Sequence, residues 1–537
     1  MYNFFSENFE YDECTAHGAC SVPPGLSALH EIILITLEQT AFYVLKLKNL
    51  GADTSEFESI IIDTFANIVS TTDYSDEQLL IPVSMAYKNL LSARMHFKKL
   101  AKELNIPSND IKDLLRITPK MPLSHIISMG EKFFLEKYKS NTNKQKNYRE
   151  IIIFLLKGIS ANLSAITSYK PAPKYAIERL ISALNFLNKK TISEARYNFE
   201  IKLLCETDKK LMEELAQIQL KEYGEIQSVK VSKSTEKGKA VLVSGSNIKD
   251  LKNLLDFIGE EKLDVYTHDD LLIAHAFKAF ENYKNLKGHY GTCNDNCVFD
   301  FATFPGAILL TKNSNVNTEY LYRGRLFTTS KILPKGVISV KNDDFSAVIS
   351  SANDAKGFAK GQERAPVWVG ADKSFLDKQI EDIIAKFNSK KIKNLVVLGL
   401  LGKSKLQYEY FEKLVKLIPK DVFVLSFSYN KSLPNLLHIN FVNNRPLIYG
   451  FLYKLFKQIP ANSERISFFF GKCDVSSISN MIYMKQNGVK NLYLTNCSPN
   501  IINPNIQSFL QSNYKLKTTT EPQKDLEKIL NKNQDEL

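Results

Sequence analysis

The feature that most constrains this chain is a change of period near residue 226. Before it, apolar residues recur at helical spacing. After it, short β-branched runs alternate with helical ones. The first pattern asks for a stack of helices, the second for parallel sheets flanked by helices. Leu29–Leu50 opens the helical part, entered by Pro23-Pro24-Gly25-Leu26-Ser27 and stopped by Gly51. Asp76–Leu104, with Pro107 just beyond, Arg149–Ser168, Pro173–Asn188 and Ile192–Tyr223 continue it. Gln227–Gly238, rich in Ser, Lys and Val, reads as a linker.

Beyond the linker, strands are expected at Lys239–Ser244, Asp264–His268, Ala307–Thr311, Arg325–Thr329 and Gly336–Val340. Helices are expected between and after them at Ile248–Ile258, Leu271–Tyr283 and Phe345–Ala355. The alternation restarts with strands at Ile392–Gly399, Val422–Ser428, Ile466–Phe470 and Asn491–Thr495, and helices at Leu406–Ile418, Leu447–Gln458 and Val475–Gln486. The expected fold class is therefore multidomain α + α/β: N-terminal helical bundles at 1–225, then two Rossmann-like parallel α/β domains at 226–365 and 366–537. The last two are expected to part near Lys360–Ala371.

Bulk properties narrow the setting. A chain of 537 residues is too long for one core. Its net charge of +12 is spread in singles and pairs, which reads as a solvated Lys-rich surface rather than a nucleic-acid site. The opening MYNFFSENFEYDE is acidic and lacks the regions of a signal peptide. Apolar stretches such as Glu31–Leu45 are interrupted by Glu38 and Gln39, so no membrane partner is expected. Seven scattered cysteines, an odd count, argue against a secreted disulfide scaffold. A cytoplasmic location is the expectation.

Several phrases carry a resemblance. LVSGSNIKDLKNLL, DVYTHDDLLIAH, GHYGT, FATFPGAILLTKN, GRLFTT, DFSAVISSA and, near the C-terminus, GVKNLYL occur in an order and spacing more specific than any one of them. Together they resemble the hybrid cluster protein (prismane, hydroxylamine reductase) family, strongly over 240–358 and more loosely over 392–500. The resemblance implies a helical domain followed by two Rossmann-like domains. It also implies a hybrid iron–sulfur–oxygen cluster where the three meet, with ligands just past the carboxyl ends of strands. That is where open parallel sheets part their loops.

The ligand positions that the resemblance implies are altered here. A His in the first phrase is replaced by Ser246, a Glu after the YTH phrase by Asp270, and a Cys after the FPGAILL strand by Ser314. In the last domain the implied Cys, Cys, Cys and Glu positions fall on Leu401, Tyr429, Asn444 and Asp474. Two Asp could offer oxygen to a hard metal. Ser, Leu, Tyr and Asn lack the softness an iron–sulfur centre requires. Of the family's N-terminal four-cysteine cubane motif only Cys14 and Cys20 remain; Asn3 and Ser6 stand at the opening pair. A cubane takes four thiolates, so these two read as relict thiols, with a metal role as the alternative.

Other residues were weighed on their own chemistry. Cys293 and Cys297, in GTCNDNC, form a C-x3-C pair near His289, with His268 and His275 as further candidates for a metal site. Two ordinary loop thiols are the expected outcome, as is a packed, hydrogen-bonded His268. Gly399 and Gly402 follow a strand but lack the remainder of a phosphate-binding loop. Trp368, the sole tryptophan, is expected to pack near the inter-domain hinge. The sequence therefore leads to a divergent homologue without its hybrid cluster, binding a small ligand or a protein partner, with no cofactor expected. The alternative is an oxidoreductase reducing hydroxylamine or nitric oxide at a modified iron–sulfur centre. A homodimer stays open.

Overall fold

The computed structural model describes residues 24–531 except 71–75, 112–113, 119, 140–142, 190, 292–296, 313, 315–320, 332, 334–335, 400–404, 428–432, 460–462, 471–474 and 495–505. The N-terminal part is helical: α1 (Pro24–Asn49), α2 (Ser55–Ser70), α3 (Asp76–Glu103), α4 (Leu123–Lys139), α5 (Asn143–Ile166), α6 (Lys174–Leu187) and α7 (Glu194–Tyr223). Helix α1 packs on α3, α4 and α6, while α5 packs on α2, α6 and α7. Among the described residues only the stretch Gly25–Asn49 is long and apolar enough to cross a membrane, and 78% of its most apolar window is buried in the protein. That is the pattern of a core helix. Its buried Glu38 is met by Arg149 at 3.4 Å, which also donates to the Leu187 carbonyl at 2.5 Å. Both side chains are thereby partnered, as burial demands.

The first α/β unit runs β1 (Val229–Val231), β2 (Ala240–Ser244), α8 (Ile248–Ile258), β3 (Asp264–His268), β4 (Leu286–Gly291), α9 (Cys297–Thr303), β5 (Ala307–Leu310), β6 (Leu326–Thr328), β7 (Ile338–Ser339) and α10 (Ser346–Asp354). The second runs β8 (Val367–Val369), α11 (Lys373–Asn388), β9 (Asn394–Leu398), α12 (Lys405–Leu417), β10 (Val422–Ser426), β11 (Leu436–His438), α13 (Arg445–Phe456), β12 (Ile466–Phe470), α14 (Val475–Gln486), β13 (Asn491–Leu494), α15 (Ile506–Tyr514), β14 (Lys517–Thr518) and α16 (Pro522–Asn531). Each unit builds one six-stranded sheet, ordered β4-β3-β2-β5-β6-β7 and β11-β10-β9-β12-β13-β14. All the strand pairs within both sheets are parallel. Written by chain order within each unit, both read 3-2-1-4-5-6, the doubly wound arrangement. Its order reverses at one point, and ligand crevices form there at the strands' carboxyl ends. The reversals lie between β2 and β5 and between β9 and β12. The multidomain α + α/β class is the observed one.

Three expectations change. The segment read as a linker is structured: Val229–Val231 pairs antiparallel with Val367–Val369, and isolated bridges join Thr235 to Gln362 and Gly238 to Phe358. The two stretches expected to separate domains thus form one ribbon. The expected helix Leu271–Tyr283 is instead two 3-10 segments, Asp269–Ala276 and Lys278–Phe280. Residues 225–227 cause the break. Gln227 N donates to the Ala276 carbonyl, and Lys278 N donates to the Glu225 carbonyl, so Phe277 is held extended and cannot continue a helix. Trp368 does not pack; it is 59% exposed on the ribbon. Helices α2, α4, α9, α11, α15 and α16 and strands β4, β11 and β14 were not anticipated.

Candidate functional site

The carboxyl end of the first sheet is unusually polar for a buried surface. Ser244 and His268 end β2 and β3, Thr311 directly follows β5, and each is at most 1% exposed. Polar groups so buried must be partnered. The His268 ring bridges two of them: Ser244 Oγ lies 2.8 Å from Nδ1 and Asp300 Oδ2 3.3 Å from Nε2. With Asp300 accepting from Nε2–H, Nδ1 is left to accept the Ser244 proton. This places Ser, His and Asp in one chain, which spacing along the sequence did not reveal. It is not a hydrolytic arrangement. Ser244 is 1% exposed, so its hydroxyl is a packed donor rather than an accessible nucleophile.

The other two histidines share one hydroxyl. Thr267 Oγ1 lies 2.9 Å from His275 Nε2, 3.0 Å from His289 Nδ1 and 3.3 Å from the Gly288 carbonyl. A hydroxyl has one proton and two lone pairs, so Thr267 can accept from both rings while donating to Gly288. Burial holds the His275 imidazole down at about 4 and pushes His289 well below its ordinary value, the latter helped by the neighbouring His275 and His268 rings. Both are neutral near pH 7. The expected packed role of His268 is the observed one. Cys297 is buried, and Cys293 lies outside the described residues.

Four of the seven candidate positions are described. Ser314 folds back over the β2 turn: its Oγ lies 2.8 Å from Thr311 Oγ1 and 3.3 Å from the Ser244 carbonyl. This fit needs a glycine at 245, where φ is +132°, because an added Cβ would sit 1.9 Å from Ser314 Oγ. Ser246 is the next residue and is exposed. Asp270 accepts from Asn443 Nδ2 at 2.7 Å, a bond from the first α/β unit to the second. Asn444 caps α13 by accepting from Leu447 N at 3.2 Å, and donates to Gln219 Oε1 of α7 at 3.1 Å. The fold therefore sets Ser314 against the neighbour of Ser246, and Asp270 against the neighbour of Asn444. Leu401, Tyr429 and Asp474, like Cys14 and Cys20, lie outside the described residues. Asn443 and Gln219 were not singled out from sequence; an amide carries no spacing signature that separates a clasp from an ordinary surface residue.

A family model described as the Prismane/CO dehydrogenase family matches residues 8–432. The chain belongs to this family. The hydroxylamine reductase of Solidesulfovibrio magneticus is 26% identical over 539 residues, covering 96% of this chain and 97% of its own. That of Maridesulfovibrio salexigens is 25% identical over 535 residues, with the same coverage. A solved structure of the closed and open alpha subunits of acetyl-CoA synthase/carbon monoxide dehydrogenase aligns over 96% of this chain and 83% of its own, at 12% identity and a TM-score of 0.46. That similarity is too loose to carry a functional argument.

The four described candidate positions of this Prismane/CO dehydrogenase family member lack the thiolate and imidazole groups that hold an iron–sulfur cluster. Ser246, Asp270, Ser314 and Asn444 supply hydroxyl, carboxylate and amide groups, and three of the four are already bonded within the protein. Thiolate or imidazole would be needed. Among the described residues no three His, Cys, Asp or Glu side chains are grouped to hold a metal ion.

Proposed function

We propose that this chain keeps the family fold without the hybrid iron–sulfur cluster and without hydroxylamine reduction. Its strand-end crevices would then bind a small ligand or a protein partner. One observation supports this reading above the rest: Asp270, Ser314 and Asn444 spend their polar groups on protein partners rather than holding them free for a metal. Reduction of hydroxylamine needs an electron-storing centre, which side chains alone do not supply. The cytoplasm is the proposed location, with no membrane or nucleic-acid partner. The two relatives that align end to end and carry the name hydroxylamine reductase favour a second reading, a reductase with a modified metal centre. In it Asp270, Asp474, Cys14 and Cys20 would be the residues available to a metal.

Protein purified without oxygen decides between them. We expect negligible acid-labile sulfide, no broad visible absorption and no hydroxylamine turnover with a low-potential electron donor. Stoichiometric iron and sulfide that persist in a Cys14→Ser/Cys20→Ser variant would overturn the first reading. Turnover lost on Asp270→Ala or Asp474→Ala would establish the second.

A further inference from the structure

We propose that the loop between β11 and α13 is a strained latch that closes the second α/β unit onto the first, released by breaking the bond from Asn443 Nδ2 to Asp270 Oδ1. This inference rests on the first reading, in which Asp270 bonds to Asn443 rather than to a metal.

The backbone on both sides of that bond is held in the left-handed region without glycine. Asp269, beside Asp270, has φ +60°, and Val442, beside Asn443, has φ +56°. A β-branched residue is a true outlier there, because its side chain crowds the following carbonyl. Such conformations persist only where surrounding contacts over-determine them, and they cluster at switch regions. The contacts are specific. Val442 N donates to Asn440 Oδ1 at 3.0 Å, and Asn440 Nδ2 donates to the Trp368 carbonyl at 2.8 Å. The Asn440 carbonyl accepts from Gly370 N at 2.8 Å. Gly370 cannot carry a side chain, since a Cβ would meet the Gln227 carbonyl at 2.2 Å and the Ala276 methyl at 2.6 Å. One short loop therefore ties together the ribbon, the 3-10 segment that bears Asp270 and, through Asn444 and Gln219, helix α7.

Asp270–Asn443 is the side-chain bond in this loop that crosses directly between the two α/β units. Breaking it removes one of the contacts that hold the loop around the strained Val442, which favours the open state. The bond joins the segment just past the carboxyl end of β3 to the loop that follows β11.

A charge-swap series tests this on the full chain by hydrogen–deuterium exchange. Asn443→Asp sets two carboxylates at bonding distance. We expect exchange in peptides covering 264–277 and 436–450 to rise by about tenfold or more, with the α1–α6 peptides unchanged. The Asp270→Asn/Asn443→Asp double variant restores one donor and one acceptor with the direction reversed, and should return both regions to within about twofold of the native rate. Unchanged exchange in Asn443→Asp, a double variant that stays open, or a rise spread evenly over the chain would overturn the latch. Failure of both variants to fold would assign the bond to folding instead, which also overturns it.

Discussion

The two α/β units share one strand order but finish their strands differently. In the first, β2 and β3 end on Ser244 and His268, and β5 leads straight into Thr311; all three are buried. In the second, β9, β12 and β13 end on Leu398, Phe470 and Leu494, and β10 ends on Ser426, all buried. The first unit is organised around imidazoles and hydroxyls. The second is organised around aromatic stacking, with Phe469 and Tyr493 4.6 Å apart and nearly parallel. The shared topology sets where a crevice can form, and the strand-end residues decide what chemistry it can offer. The histidine network lies in the first unit, and the second reaches Asp270 and helix α7 through the loop that carries Asn443 and Asn444.

The sharpest way to break this comparison is to empty the aromatic core. Phe469→Ala removes a fully buried ring and its stacking on Tyr493, and should destabilise the second unit by about 3–5 kcal/mol. Denaturant unfolding should show it as an early transition in far-UV circular dichroism. A loss under about 1 kcal/mol would mean the second sheet is not held by its aromatics.

The first unit should instead answer to pH. The His275 value in the folded chain is lowered by burial to about 4, against 6.5 for the ordinary group. The unfolded chain therefore binds the proton first. Stability from this group is full above pH 6.5 and is lost as pH falls toward about 4, by no more than about 3 kcal/mol. His275→Gln should flatten the stability profile between those limits. An unchanged slope would show that His289 or another group carries it.

Asp208 sharpens the comparison at the base of the second unit. It lies fully buried on α7, accepting from Asn162 at 2.8 Å and from Ser479 of α14 at 2.5 Å. Burial raises its carboxyl to about 6, against the lowering effect of those donors and of Arg445. Here the folded chain binds the proton first, so stability is highest at acid pH and falls as pH rises from about 4 through 6. Asp208→Asn can keep one donor and one acceptor. It should stabilise the chain at pH 7 by about 1–3 kcal/mol, less whatever Arg445 loses, and by nothing near pH 4. Thermal denaturation at the two pH values measures the difference.

The smallest effect is expected on the ribbon between the units. Trp368→Phe alters a side chain that is 59% exposed, so stability should move by less than about 0.5 kcal/mol. The native tryptophan fluorescence, all from this one residue, should be red-shifted and open to acrylamide quenching. Blue-shifted emission would contradict the exposed placement.

Much of the scaffold was legible. The strands Asp264–His268 and Ile466–Phe470 and the helix Ile248–Ile258 stand where the periodicity puts them, because a fully buried parallel strand and an amphipathic helix each write their period locally. The family was legible from ordered phrases. What was missed depends on distant partners. Val229–Val231 is too short to read as a strand without Val367–Val369 beside it, more than a hundred residues on. Residues 269–280 have helical composition, yet Glu225 and Gln227 take their backbone groups and break the helix. The replaced positions could be named from sequence, but not their new bonds, since Asp270 meets Asn443 across 173 residues.

By itself, then, the sequence determined the succession of helices and strands, the family and the identity of the residues at its strand ends, because these are written in local spacing and order. Only the tertiary structure decided that His268 is clamped between Ser244 and Asp300, that Thr267 serves two imidazoles, and that Asn443 and Asn444 reach two different neighbours. Side-chain hydrogen bonds act over about 3 Å, so they exist only after the chain has brought distant residues to that range.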